Sequence, residues 1–373
     1  MTATHDITAA PITPGPPRPD DDLASTARRL SILNGIFELR AFIALGVLIV
    51  VFGVLSESFL TVPNIITMTK HVAINGVIAL GMLLVILKGG IDLSVGSTLG
   101  LSAVIAGELL QGVNLGFADM IAYPPVWAVI VLCVSVGMAV GAINGLLITR
   151  FKVAPFIATL GMLYVARGLA LLISGGTTYP KLGGQPDLGN TGFGFLGSGR
   201  PLGLPTSIWL MAILAIAVTL LLTRSPFGRW LYATGGNERA AELSGVPVRR
   251  VKTIVYVVSG ACAAIAGVII ASELTSAAPQ LGETYELNAI AAVVIGGAAL
   301  SGGRGTVRGT LVGAFVIGFL ADGLVILGVS TFWQILIKGA VIILAVMLDQ
   351  GQQRFQRRQG AAASAVAATR QSH

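Results

Sequence analysis

Polar and apolar residues are sorted along this chain into long blocks. Apolar runs occupy about 41–56, 72–87, 93–110, 126–149, 154–174, 207–223, 251–272, 286–300, 309–321 and 331–348. A helix rises about 1.5 Å per residue and needs about 20 apolar residues to cross the hydrocarbon of a bilayer. Runs of this length therefore read as membrane spans rather than core helices. The pattern predicts about ten spanning helices, the eighth and ninth short and interrupted by glycine. Two polar stretches between runs stand out by length, an outer loop at 175–206 and a cation-rich island at 224–252.

Composition agrees with this pattern. Hydrophobic residues make up 54% of the chain and charged residues 11%, against about 25% charged in an ordinary soluble domain. So little charge could not cover the surface of a soluble protein of 373 residues. The 48 glycines suit helices that pack closely inside a membrane. The fold class is all-α, a polytopic membrane protein, with lipid around it. The net charge of +7 sits in loops and tails, where it reports topology rather than a nucleic-acid footprint, so no nucleic-acid partner is expected.

Basic residues mark the cytoplasmic side of a bilayer. With the N-terminus inside, the inner segments collect Lys88, Arg150, Lys152, Arg224, Arg229, Arg249, Arg250, Lys252, Arg304 and Arg308, while the outer ones hold Lys70, Lys181 and Arg200. Both termini then lie in the cytoplasm. Residues 1–40, polar and proline-rich, read as a disordered cytoplasmic tail, 41–349 as the membrane domain, and 350–373 as a second cytoplasmic tail. The 175–206 loop, rich in Gly and Pro, reads as an irregular outer surface suited to an extracytoplasmic partner.

Enzyme signatures are missing. No G-x-x-x-x-G-K-[ST] loop is present, so the chain carries no phosphate cradle of its own for ATP, and no bound cofactor is expected. The histidines His5, His71 and His373 are scattered, which disfavours a metal site or a hydrolytic triad. Cys133 and Cys262 fall inside apolar runs and read as packing residues. The run Gly192–Gly197 matches G-x-G-x-x-G by letter but lacks the strand and helix that motif needs.

Glycine-interrupted hydrophobic segments that recur in two parts of a chain point to broken helices around a translocation path. Gly89-Gly90-Ile91-Asp92-Leu93-Ser94 is echoed by Gly296-Gly297-Ala298-Ala299-Leu300-Ser301, each after one apolar run and before another. Asp92 has two readings: it caps the third span, accepting a backbone N–H of Ser94 or Val95, or it joins Ser94 in presenting oxygens to a hydroxyl-rich solute. Gly137, Gly141 and Gly145 line one face of the fourth span and let another backbone approach. Asn144 beside them either bonds across helices or lines a path. Arg167, about 10 Å below the outer end of the fifth span at helical rise, either snorkels to the interface or faces the bundle interior. Thr159 and Asn288 complete the set of candidate path residues.

The island is the most specific signal. Asn237-Glu238-Arg239-Ala240-Ala241-Glu242-Leu243 is a good helix former closed by Gly245 and Pro247. Asn237 suits the N-cap, Glu238 the positive helix start, and the two alanines let a partner surface come close.

With these residues in view, the chain resembles the permease subunits of ribose-type ABC importers over about residues 41–349. The resemblance rests on Lys88 to Ser97, on Asn144-Gly145 with Pro155 to Met162, on Gly236-Asn237-Glu238-Arg239-Ala240-Ala241 through Gly245-Val246, and on Val294 to Gly297 through Gly302 to Thr306. It implies two related halves, a second permease chain, a cytoplasmic ABC ATPase that hydrolyses ATP, an extracytoplasmic solute-binding protein, and a monosaccharide or sugar alcohol as solute. It also implies that Gly236, Asn237, Glu238, Ala240, Ala241 and Gly245 form the segment that couples to the ATPase. Arg239 departs from the Glu that the general form of that loop carries beside its alanines. The competing class, a secondary transporter or channel without an ATPase, predicts ionisable residues deep in several spans.

Overall fold

The structure, a computed structural model, describes residues 41–114, 121–347 and 351. The tails expected at 1–40 and 350–373 fall outside the described residues, save 351. The membrane domain is built from helices. α1 (Ala41–Leu55) leads to α2 (Val62–Leu87) and α3 (Val95–Gln111). A two-stranded antiparallel ribbon, β1 (Val113–Asn114) with β2 (Ile121–Ala122), joins α3 to α4 (Val126–Thr149) and α5 (Pro155–Ser174). After a one-turn helix, α6 (Phe195–Ser198), come α7 (Thr206–Arg224), α8 (Pro226–Gly236), α9 (Glu238–Leu243) and α10 (Val248–Leu274). The described chain closes with α11 (Tyr285–Ile295), α12 (Val307–Ile326) and α13 (Thr331–Met347).

Six of these helices, α2, α4, α5, α7, α10 and α12, are long and apolar enough to cross a membrane, and α1, α3, α11 and α13 are shorter apolar helices. The protein is an all-α polytopic membrane protein. Burial sorts the helices into centre and periphery. The most apolar stretch of α2 is 83% buried and that of α10 72%, against 28% for α4 and for α5. α2 and α10 are the core, and α4 and α5 leave much of their surface exposed.

The glycine stripe explains one core contact. At Gly137 and Gly141 the space for a Cβ is taken by the carbonyls of Gly260 and Tyr256 on α10, and at Gly145 by the Thr253 backbone. Two helix backbones touch there, which only small residues permit.

Several boundaries differ from expectation. α2 starts at Val62, ten residues before the predicted run, because Asn64, Thr67, Thr69, Lys70 and His71 break the hydropathy but not the helix. The eighth run ends as a helix at Ile295 rather than 300, since Gly297 turns the chain with φ of +91°. The island holds α8 as well as α9: Ser225 caps α8 by accepting the Gly228 N–H at 3.3 Å, with Pro226 at the first helical position. The 175–206 loop is held by specific contacts. Phe193 is fully buried, Ser272 Oγ donates to its carbonyl at 2.6 Å, and Tyr179 pairs with Ala277 as an antiparallel bridge.

Candidate functional site

The two glycine-broken segments end their helices in the same way. Gly89 N donates to Ile86 O and Gly90 N to Val85 O; Gly297 N donates to Val294 O and Ala298 N to Val293 O. Both are the paired bonds of a Schellman turn, with Gly89 and Gly297 at φ of +80° and +91° supplying the left-handed residue. The echoed sequences therefore have echoed geometry. The breaks also meet: Gly303 N donates to Leu87 O at 2.8 Å, tying the loop after α11 to the end of α2.

Beyond the first break lies a buried polar group. Asp92 Oδ1 accepts from Ser94 N at 3.0 Å and from Ser94 Oγ at 2.6 Å, while Oδ2 accepts from Ser259 Oγ of α10 at 2.9 Å. Asn144 of α4 donates Nδ2 to Ser94 Oγ at 2.9 Å. Thr159 Oγ1 of α5 lies 3.0 Å from Pro155 O of its own helix and 3.3 Å from Ile91 O, next to the same turn. Asp92, Ser94, Asn144 and Thr159 are each 1% exposed or less, so the carboxylate and the polar side chains near it are sealed among α3, α4, α5 and α10. Asp92 does take the Ser94 N–H, yet the residue at the N-cap of α3 is Ser94. Asn144 bonds across helices, and its Oδ1 keeps an unmet hydrogen bond. Lys88 is 6% exposed with Nζ 4.5 Å from the centre of the Tyr256 ring, a desolvated cation on an aromatic face.

Two candidates stand apart. Arg167 does not join this group: its Nη1 donates to the Pro279 and Leu281 carbonyls, clamping the loop between α10 and α11 against α5. Asn288, half-buried in α11, takes part in none of the hydrogen bonds around Asp92.

In the island, Asn237 Oδ1 accepts the Ala240 N–H at 3.0 Å, the N-cap expected of it, and Glu238 stands in the first turn of α9. Gly245 turns the chain with φ of +82°. Ala240 is exposed, but Ala241 is 5% exposed and packs inward, because positions adjacent on a helix face different ways. The outward surface of α9 is completed by Leu243, 75% exposed. Lys252 binds Glu238 at 2.6 Å and fastens α9 to α10. Between α9, the start of α10 and the α4–α5 turn lies a cavity of about 880 Å³, lined by Lys152, Arg249, Arg250 and Lys252 among others. Tyr232 of α8 donates to Gly305 O at 2.8 Å, and burial raises its phenol above the usual value, keeping the donor proton in place.

On the opposite end, sequence reasoning missed a cluster. Lys70 binds Glu273 at 2.9 Å and His71 binds Asp322 at 3.2 Å, linking α2, α10 and α12. In the sequence Lys70 reads only as one basic residue between runs and His71 as a scattered histidine. The signal they share is a place at one end of three apolar runs.

The permease component family of branched-chain amino acid transport systems matches residues 64–346, both breaks and the island included. The chain belongs to this permease family. The permease is 46% identical over 331 residues to the ribose import permease protein RbsC of Bacillus subtilis, covering 88% of this chain and 98% of that one. It is 40% identical over 335 residues to the ribose import permease protein of Escherichia coli K12, covering 88% and 98%. The galactose/methyl galactoside import permease protein MglC of the same bacterium is 36% identical over 337 residues, covering 87% and 97%. No solved structure matches the permease.

Proposed function

We propose that this permease is the translocation subunit of an ATP-driven importer for a monosaccharide or sugar alcohol, with ribose the leading candidate. The observation that carries the reading is the full-length similarity to ribose import permeases together with a capped, outward-facing α9. The permease acts in the bacterial plasma membrane with ten spans and both termini cytoplasmic. It pairs with a second permease chain, and a cytoplasmic ABC ATPase hydrolyses the ATP. A solute-binding protein docks on the outer face, including 175–206.

Asn237, Glu238, Ala240 and Leu243 meet the ATPase, with Gly236 and Gly245 setting the ends of the segment. Closure of the ATPase dimer displaces α9 and turns a path between the breaks inward. Asp92, Ser94, Asn144 and Thr159 border that path in its open form. A sealed carboxylate suits a carrier that must not hold its solute tightly, because strong ground-state binding opposes release. Arg167 and Asn288 act at its outer half. Among the described residues no chain of carboxylates runs through several spans, which favours this reading over an ion-coupled carrier.

The test is uptake of labelled ribose into proteoliposomes containing the permease, its ATPase and its binding protein. Uptake must need hydrolysable ATP and all three components. Full-rate uptake by the permease alone would make it a secondary transporter or a channel instead.

A further inference from the structure

Between α9 and the two breaks there is a point where three pieces of backbone touch without side chains. Gly235, the last but one residue of α8, lies two positions before the Asn237 cap. A Cβ on Gly235 would fall onto Leu87 O, the final carbonyl of α2, and 2.6 Å from Gly303 N. A Cβ on Gly302 would lie 2.8 Å from Gly235 O and 2.9 Å from Gly89 N. One on Gly303 would lie 3.0 Å from Gly236 N and Cα. The Gly303 N–H to Leu87 O bond crosses the centre of this knot. Tyr232, one turn earlier on α8, braces it from the other side through Gly305 O.

We propose that Gly235 is the positioning residue through which the coupling segment drives both broken helices together. The inference rests on the coupling reading of α9 given above. Most contacts between elements are made by side chains, which absorb small displacements by changing rotamer. Here backbone meets backbone, so a shift of α8 and α9 passes undamped to the end of α2 and to the loop between α11 and α12. Close-packed contacts of this kind switch between discrete arrangements rather than yielding gradually. The next residue after Leu87 is Lys88, and Asp92 follows within the same turn, so the motion arrives at the sealed carboxylate. Bonding of Gly303 to Leu87 obliges the second break to move with the first.

The experiment compares solute uptake per ATP hydrolysed in proteoliposomes of the complete transporter. Gly235→Ala is expected to leave the ATPase bound and hydrolysing while uptake per ATP falls by about tenfold, within the range of allosteric couplings. Gly46→Ala, at a position with nothing within 4 Å of the added methyl, serves as control and keeps the ratio of the parent. An assembled Gly235→Ala transporter with the parental ratio overturns the proposal. Should Gly235→Ala fail to accumulate, Tyr232→Phe decides: it removes only the bond to Gly305 O and is expected to lower the ratio by about threefold. An unchanged ratio in Tyr232→Phe then overturns it. If instead the parent transports with a hydrolysis-dead ATPase, the coupling reading itself is wrong, an outcome distinct from either variant result.

Discussion

Ser259 Oγ donates to Asp92 Oδ2 at 2.9 Å, joining the middle of α10 to the turn between α2 and α3. The two residues are 167 positions apart in the chain and both are buried. A buried carboxylate persists only when its lone pairs are met, and here Ser94 and Ser259 meet them. Asp92→Ala strips the acceptor from three donors at once and is expected to destabilise the protein by about 2–3 kcal/mol. Ser259→Ala removes one donor and should cost about 1 kcal/mol. Thermal unfolding in detergent measures both. Equal melting temperatures for Asp92→Ala and the parent would show that the group carries no such weight.

Asn237 holds α9 by a single side-chain bond to Ala240 N–H at 3.0 Å. A helix of six residues is too short to hold itself, so the cap adds to the Lys252–Glu238 pair and to the burial of Ala241. Asn237→Ala should cost about 1 kcal/mol locally and Asn237→Asp much less, since aspartate caps equally well. Pull-down of the ATPase with each variant is the measurement. Reduced recovery with Ala and normal recovery with Asp is expected; equal recovery of all three would remove the cap from the docking surface.

The same contrast marks what could be read from the chain. Asn237, Gly245 and the α9 boundaries were legible because capping and termination are local chemistry, acting within a few residues. The Gly137 stripe was legible because helical spacing shows a face. Gly89 and Gly297 were legible as an echo, since a Schellman turn needs glycine at one place. Arg167 was not, because its acceptors are carbonyls at Pro279 and Leu281, and a backbone acceptor leaves no mark in sequence. Nor was the meeting of Gly235 with Leu87 and Gly303, in which no side chain takes part. His71 and Asp322, 251 residues apart, could be paired only by folding.

Gly141 sits where the added Cβ would enter the Tyr256 carbonyl. No rotamer relieves a clash with backbone, so Gly141→Leu must separate α4 from α10 or prevent folding. The cost is expected to exceed about 3 kcal/mol, the upper end for overpacking. Gly161→Leu, with nothing within 4 Å of its Cβ, should be tolerated. Monodisperse yield by fluorescence-detected size exclusion distinguishes the two. Normal yield of Gly141→Leu would contradict the backbone contact.

Topology is open to a chemical test because the native thiols are silent. Cys133 and Cys262 are both buried and unpaired, and burial within apolar surroundings keeps a thiol inert. Leu243 on α9 is 75% exposed and Leu202 in the outer loop 88% exposed, so a cysteine at either place meets solvent at little structural cost. With α9 cytoplasmic, Leu202→Cys in intact cells should react with a membrane-impermeant maleimide within minutes. Leu243→Cys should react only after the membrane is permeabilised. If α9 docks an ATPase, co-expression of that subunit should slow the labelling of Leu243→Cys in permeabilised cells and leave Leu202→Cys unaffected. Labelling of Leu243→Cys from outside intact cells would invert the membrane orientation and place α9 beyond reach of any cytoplasmic motor.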